Sequence, residues 1–193
     1  KESGYHIFAT KEYMSRVRGG SNSTELRVAS EPVKAFVDRI DILVPMHKDA
    51  LKRIEKRVSP ETIVMGEKEK LIDDEKENGF EIVDVPLSKM AKEVGSAIYS
   101  NIIIIGVLAA IFKIERDSIH SLLKENFESK GEKVVEKNIE AANKGYEIGE
   151  KLSSSKTIQV EVKRDSELDE QIIIDGSEAV SLGDEVVVWV TDV

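Results

Sequence analysis

Three neighbouring stretches decide how this chain folds: Ile40-Asp41-Ile42-Leu43-Val44-Pro45, residues 50–58, and Thr62-Ile63-Val64-Met65. The first is a short apolar run closed by a proline, which cannot donate a ladder hydrogen bond and so ends the strand it follows. The second carries Leu51, Ile54 and Val58 at spacings of three and four, the period of one helix face. Ser59 and Pro60 then punctuate the chain, and the third stretch returns to β-branched residues. A further run at 80–85 reads the same way. Strands alternating with helices predict an α/β layered sheet rather than an all-β or all-α domain.

Outward from this centre, residues 5–9 and 24–29 predict short strands on either side of a polar, glycine-containing loop. The charged segment 66–79 predicts a surface excursion or a loop with a short helix. From residue 88 onward the pattern turns helical, at 88–94, 100–112, 117–127 and 132–152. In the last of these Val135, Ile139, Ala142, Tyr146 and Gly149 fall on one stripe, so the helical half should cover the sheet. Ser153, Ser154 and Ser155 predict a linker, and the apolar runs 158–162, 172–174 and 186–190 a small β-rich appendage or the start of another domain. The expected division is therefore 1–152 and 153–193.

Composition narrows the function. The 193 residues carry a net charge of -9, which disfavours broad adhesion to nucleic acid or to an anionic membrane, since both need clustered Lys and Arg. The absence of cysteine excludes disulfides, thiolate metal sites, iron-sulfur ligation and cysteine nucleophiles. Any electron-carrying cluster belongs to another chain. The apolar run 98–112 is interrupted by Ser100, Asn101 and Gly106 and is shorter than the ~20 residues a membrane-spanning helix needs, so it predicts a buried core helix. Without a charged-apolar-small leader, the expected compartment is the cytoplasm.

The most unusual stretch is Tyr13-Met14-Ser15-Arg16-Val17-Arg18-Gly19-Gly20-Ser21-Asn22. Paired glycines allow a tight turn and close approach to a ligand, and arginine supplies planar donor forks for phosphate or carboxylate. Residues 1–22 hold four Lys or Arg against two Glu, a local charge of +2 in an acidic chain. Two readings fit these residues equally: an anion site, or a plain turn with solvated arginines. His6, His47 and His120 lack metal-ligand spacing, and Asp73, Asp74, Glu75 and Glu77 lie among lysines without the spacing of a calcium loop. No nucleophile elbow, Walker loop or dinucleotide fingerprint is present, so catalysis by this chain alone is not expected. Asn101 reads as a helix-start residue, with capping the plainer role.

In order along the chain, Gly4-Tyr5, the run Met14-Ser15-Arg16-Val17-Arg18-Gly19-Gly20, Leu26-Arg27-Val28, the 40–44 run, Asn101 with Gly106, Val135-Glu136-Lys137-Asn138 and Gly145-Tyr146-Glu147 resemble the gamma subunit or domain of the 2-oxoacid (pyruvate or 2-oxoglutarate type):ferredoxin oxidoreductases. The resemblance spans about residues 4–150, and the arginine and double-glycine loop is its most specific part. It implies a three-layer α/β/α sandwich whose matching loop lies near a coenzyme A site at a domain junction. Arg16 and Arg18, with backbone groups of Gly19, Gly20 and Asn22, would hold phosphates of coenzyme A. Thiamine diphosphate, magnesium and [4Fe-4S] clusters would belong to partner domains, namely the alpha and beta subunits and a delta or ferredoxin-like unit, with ferredoxin reached indirectly. Residues 175–183 resemble the opening of the alpha domain in a gamma-alpha fusion, beside the alternative of a simple turn at Asp175-Gly176.

Two departures accompany the resemblance. The family begins with a strand and a glycine-rich turn before the position of Lys1, and residues 184–190 do not continue as an alpha domain would, which predicts a trimmed chain. The resulting expectation is a non-redox gamma domain that helps bind coenzyme A and assemble the complex. The competing expectation is a stand-alone nucleotide- or anion-binding regulatory module.

Overall fold

The computed structural model describes residues 3–12, 22–71, 80, 82–166 and 168. The chain opens with an antiparallel hairpin, β1 (His6–Glu12) and β2 (Ser23–Ala29). It then enters β3 (Ile42–Leu43), helix α1 (Lys48–Ile54), β4 (Ile63–Gly66), the single-turn α2 (Lys68–Leu71) and β5 (Ile82–Asp84). Four helices complete it: α3 (Leu87–Val94), α4 (Ser100–Ile111), α5 (Arg116–Phe127) and α6 (Glu132–Ser154).

β3, β4 and β5 form a parallel sheet in that order, with Leu43 opposite Val64 and Val64 opposite Ile82 in one row, and Met65 opposite Val83 in the next. Side chains alternate across a strand, so each row faces one layer. Leu43, Val64 and Ile82 pack with Leu51 of α1 and Leu71 of α2. Ile42, Ile63, Met65 and Val83 pack with Leu87, Ala91 and Val94 of α3, Ile103, Val107 and Ile111 of α4, and Ala141 of α6. Helices therefore cover both faces of the sheet, the expected α/β/α layering. The central strand has no solvent-exposed side at all: Val64 and Met65 are both 0% exposed, as parallel strands with two covered faces require.

The crossing of α4 and α6 is set by glycine. A Cβ added to Gly106 would fall on the carbonyl oxygen of Ala142, one on Gly145 on that of Ile103, and one on Gly149 on that of Val107. Backbone rather than side chain is the neighbour in all three cases, so the two helices are closer than side chains would permit. The buried line of α6 is accordingly Asn138, Ala141, Ala142, Gly145 and Gly149. Of the expected stripe, Ala142 and Gly149 are buried, whereas Val135, Ile139 and Tyr146 sit at its half-buried margin.

α6 continues through Ser154, so the serines expected as a linker are mostly its last turn, and residues 158–162 carry no strand. Ile158 is instead 1% exposed and belongs to the main core, because an apolar side chain leaving the helix end has core surface within reach. The runs 172–174 and 186–190, and with them most of the expected appendage, lie outside the described residues.

Candidate functional site

The hairpin is fixed at its base, and the described residues at its far end are exposed. Tyr5 donates its hydroxyl to the carbonyl of Phe112 at 2.7 Å and meets that ring edge to face at 6.2 Å. His6 Nε2 lies 2.9 Å from Asp165 Oδ2, and the Asp165 amide donates to the carbonyl of Gly4 at 2.7 Å. Gly4 is required here: its φ is +78° and a Cβ would stand 3.1 Å from the Asp165 carbonyl oxygen. Farther out, one face of the hairpin is covered by Phe36 against Phe8, by the carbonyl of Ala35 accepting from Arg27, and by Arg57 gripping Glu25 with both terminal nitrogens at 2.5 and 3.1 Å. The hydrogen bond to Glu25 raises the Arg57 pKa above its ordinary value despite partial burial, so the grip is charge-assisted. Beyond it Ala9, Thr10, Lys11, Glu12, Ser23 and Thr24 are exposed.

The last rung of the ladder pairs Glu12 with Ser23, whose hydroxyl donates to the Glu12 carboxylate at 3.1 Å. The connection from 13 to 22 is thus hung on the far end of the arm. Arg16, Arg18, Gly19 and Gly20 lie outside the described residues; Asn22 is exposed immediately before β2. The structure shows how the arm that carries these residues is anchored.

A second polar feature, absent from the sequence reading, sits at the carboxyl ends of the parallel strands, where open α/β sheets commonly bind ligands. Pro45 and Met46 after β3, Glu67 after β4, Lys70, Leu87, Ser88 and Ser100 line a concavity of about 50 Å³. That is room for a water or two, not for a nucleotide. Glu67 fills the polar centre. Its carboxylate accepts from the Ser88 amide at 2.9 Å, the Ser88 hydroxyl at 2.7 Å and Lys70 Nζ at 2.6 Å. Burial alone would raise its pKa, yet these donors hold it below the ordinary carboxylate value. The carboxylate occupies the first turn of α3, the place a phosphate would seek. Its components come from strand ends more than twenty residues apart, which no local motif announces.

Among the described residues no group of His, Asp or Glu is arranged to hold a metal ion. His6 pairs with Asp165 and His120 with Asn143 at 2.9 Å, while His47 precedes α1. Asp73, Asp74, Glu75 and Glu77 lie outside the described residues. No described helix is long and apolar enough to cross a membrane. Asn101 is an exposed residue in the first turn of α4, and no side-chain cap holds that helix start.

Known proteins share both the sequence and the layering. The chain is 22% identical over 161 residues to 2-oxoglutarate synthase subunit KorC of Archaeoglobus fulgidus, covering 83% of this chain and 81% of that one. It is 27% identical over 146 residues to the subunit of the same name from Methanocaldococcus jannaschii, covering 74% and 77%. Among solved structures, the 2-oxoglutarate:ferredoxin oxidoreductase from Magnetococcus marinus with 2-oxoglutarate, coenzyme A and succinyl-CoA bound superimposes with a TM-score of 0.80 and 26% identity. The match covers 94% of this chain but only 32% of that one, so this chain spans about a third of it. The gamma subunit of keto/oxoacid ferredoxin oxidoreductase from Geobacter sulfurreducens PCA shares the fold, with a TM-score of 0.56 at 17% identity over 77% of this chain and 82% of that one. The description pyruvate ferredoxin/flavodoxin oxidoreductase matches residues 1–148, most of the chain, and it is to this family that the chain belongs.

Proposed function

We propose that this chain is the non-redox gamma-type subunit or domain of a cytoplasmic 2-oxoacid:ferredoxin oxidoreductase, and that it helps bind coenzyme A and hold the complex together. In the reaction of such a complex a 2-oxoacid loses carbon dioxide, its acyl group passes to the thiol of coenzyme A, and the released electrons go to ferredoxin. Thiamine diphosphate, magnesium and [4Fe-4S] clusters would be held by the alpha, beta and delta or ferredoxin-like units. The cysteine-free sequence agrees with that division, since it offers no thiolate for a cluster.

The observation that carries the proposal is the anchored arm: a hairpin clamped at Tyr5, His6 and Arg57 whose far end launches the arginine and double-glycine connection. Arg16 and Arg18 supply the charge-assisted donors for the phosphates of coenzyme A, and Gly19, Gly20 and Asn22 supply backbone groups. Holding the phosphates orients the thiol toward the acyl group on a partner unit, which is positioning and not bond making. Replacing both arginines by alanine in the assembled complex is expected to raise KM for coenzyme A about tenfold or more, with KM for the 2-oxoacid unmoved. An unchanged KM for coenzyme A would refute the assignment of this connection.

The competing reading is a stand-alone nucleotide- or anion-binding regulatory module, for which the carboxyl edge of the parallel sheet would be an ordinary place to hold a phosphate. The place where one would form, the first turn of α3, is filled by Glu67. Co-purification separates the two readings: the proposal expects cysteine-rich, thiamine-containing polypeptides with this chain, the alternative a chain that works alone.

A further inference from the structure

We infer that the face formed by Ala97 and Ile98, in the turn just before α4, and by Asn101 and Ile105 of α4 is the surface on which this chain meets the larger subunit of its complex. The inference rests on the proposed function and adds a location to it. From residue 97 to residue 112 the sequence, Ala97-Ile98-Tyr99-Ser100-Asn101-Ile102-Ile103-Ile104-Ile105-Gly106-Val107-Leu108-Ala109-Ala110-Ile111-Phe112, contains no charged side chain. A helix that is apolar on all sides belongs in an interior.

α4 is enclosed on most sides only. Gly106 and Ile103 lie against α6, Ile104, Val107 and Ile111 join the core beneath the sheet, and Ala109 packs with Ile119 and Leu123 of α5. The remaining stripe has the spacing of one helix face: Asn101, Ile105, Leu108 and Phe112. Its lower end is closed, since Phe112 meets Tyr5 and Leu108 is half buried. Its upper end is open, with Ile98 73% and Ile105 45% exposed and Ala97 and Asn101 exposed beside them. Met46, also exposed, shares the neighbouring concavity with Ser100 and extends the patch toward the sheet edge. Single exposed apolar residues are ordinary; a run of them on an uncharged helix is not.

Two observations identify the occupant. The Magnetococcus chain that this domain matches is about three times longer, so there the equivalent domain has about two thirds of a polypeptide joined to it that is available to cover such a face. Charge points away from a second copy of this chain, because self-association would bring together two molecules each carrying -9. The exposed side of α6 bears Glu136, Glu140, Lys144 and Glu147, whereas the α4 face offers a partner neither attraction nor repulsion of charge. Its complement is a dry apolar surface with one polar group for the Asn101 amide.

The test uses the complex purified through a tag on this chain, as wild type and as Ile98→Asp, Ile105→Asp and, on a different helix, the equally exposed Leu122→Asp. A carboxylate forced into an apolar contact without a partner costs at least ~1.4 kcal/mol, a tenfold loss of affinity, so the Ile98 and Ile105 variants should recover less than a tenth of the larger subunit. Circular dichroism and melting should show all three chains folded, and Leu122→Asp should recover the subunit normally. Full recovery by Ile98→Asp and Ile105→Asp overturns the inference while leaving the coenzyme A role standing. Equal loss with Leu122→Asp also overturns it, since the effect is then not specific to this face. A wild-type chain that sediments as a homodimer dissociated by Ile98→Asp assigns the face to a second copy and overturns it too. Wild type that recovers no oxidoreductase subunit overturns this inference together with the proposed function.

Discussion

Replacing Gly145 by alanine tests whether backbone contact sets the spacing of α4 and α6. In an isolated helix the change would be favourable by about 1 kcal/mol, because glycine carries the larger conformational entropy cost. Here the added methyl falls on the carbonyl oxygen of Ile103, and the next atoms, Ile103 C at 2.8 Å and Cα at 3.1 Å, are backbone as well. A side chain could rotate aside; a helix backbone cannot. The helices must separate, and a gap of 0.5–1 Å forfeits roughly a quarter to a half of each dispersion contact along the crossing. Ile103, Val107 and Ala141 are all 0% exposed and share that loss. Overpacking of this kind costs about 1–3 kcal/mol and more where relief is blocked, so we expect a net destabilisation of about 2–3 kcal/mol after the propensity gain. With a urea dependence of ~2 kcal/mol per molar, the unfolding midpoint should fall by roughly 1 M. Ser121→Ala, at an exposed position of α5, is the control that should hold or gain stability. A Gly145→Ala chain as stable as wild type in urea would show that the helices have room, and the close-crossing argument would be wrong.

Two further expectations concern the clamps around the arm and the sheet edge. Arg57→Ala removes the two-pronged grip on Glu25; with the side chains 29% and 36% exposed, the pair contributes only about 0.5–1 kcal/mol, so the global midpoint should move little while amide exchange across β2 accelerates several-fold by NMR or mass spectrometry. Glu67→Gln should remove a pH dependence: the folded carboxyl has its pKa below the ordinary 4.5, so its stabilisation is complete above that value and lost as pH falls through the lower folded one. Wild type should therefore lose stability on acidification below about pH 5 that the glutamine variant does not lose, and parallel melting curves for the two proteins over that range would contradict the assignment.

Much of the fold could be read from pattern. The runs at 40–44 and 62–65 correspond to β3 and β4 within two residues, and the periodicity at 50–58 to α1, which starts two residues earlier and ends four residues sooner; each signal is local. Of the stripe expected on α6, Ala142 and Gly149 lie on the contact line, while Val135, Ile139 and Tyr146 flank it and Asn138, Ala141 and Gly145 take their places. A close crossing selects Ala141 and Gly145 by their size, which a hydrophobic period does not weigh. The strand predicted at 158–162 is missing for a related reason: apolar composition says that Ile158 will be buried, not that it will pair with another strand. Of the candidate site, the two strands flanking the connection after β1 were legible, while Arg16, Arg18, Gly19 and Gly20 lie outside the described residues. The Glu67, Lys70 and Ser88 cluster was not, because it exists only once β4 and β5 lie side by side.

The seven-residue strands of the hairpin make it a lever. At about 3.4 Å per residue the far end stands some 20 Å from its fixed base, so a tilt of about 3° at Tyr5 and His6 moves the tip by about 1 Å. Displacement on that scale is enough to lower a reaction rate about a hundredfold when a group must be held in register with another. The aim of the tip is therefore governed at the base by the Tyr5 hydroxyl on the Phe112 carbonyl and the contact of His6 with Asp165, and farther out by the grip of Arg57 on Glu25, which ties the arm to the residues after α1.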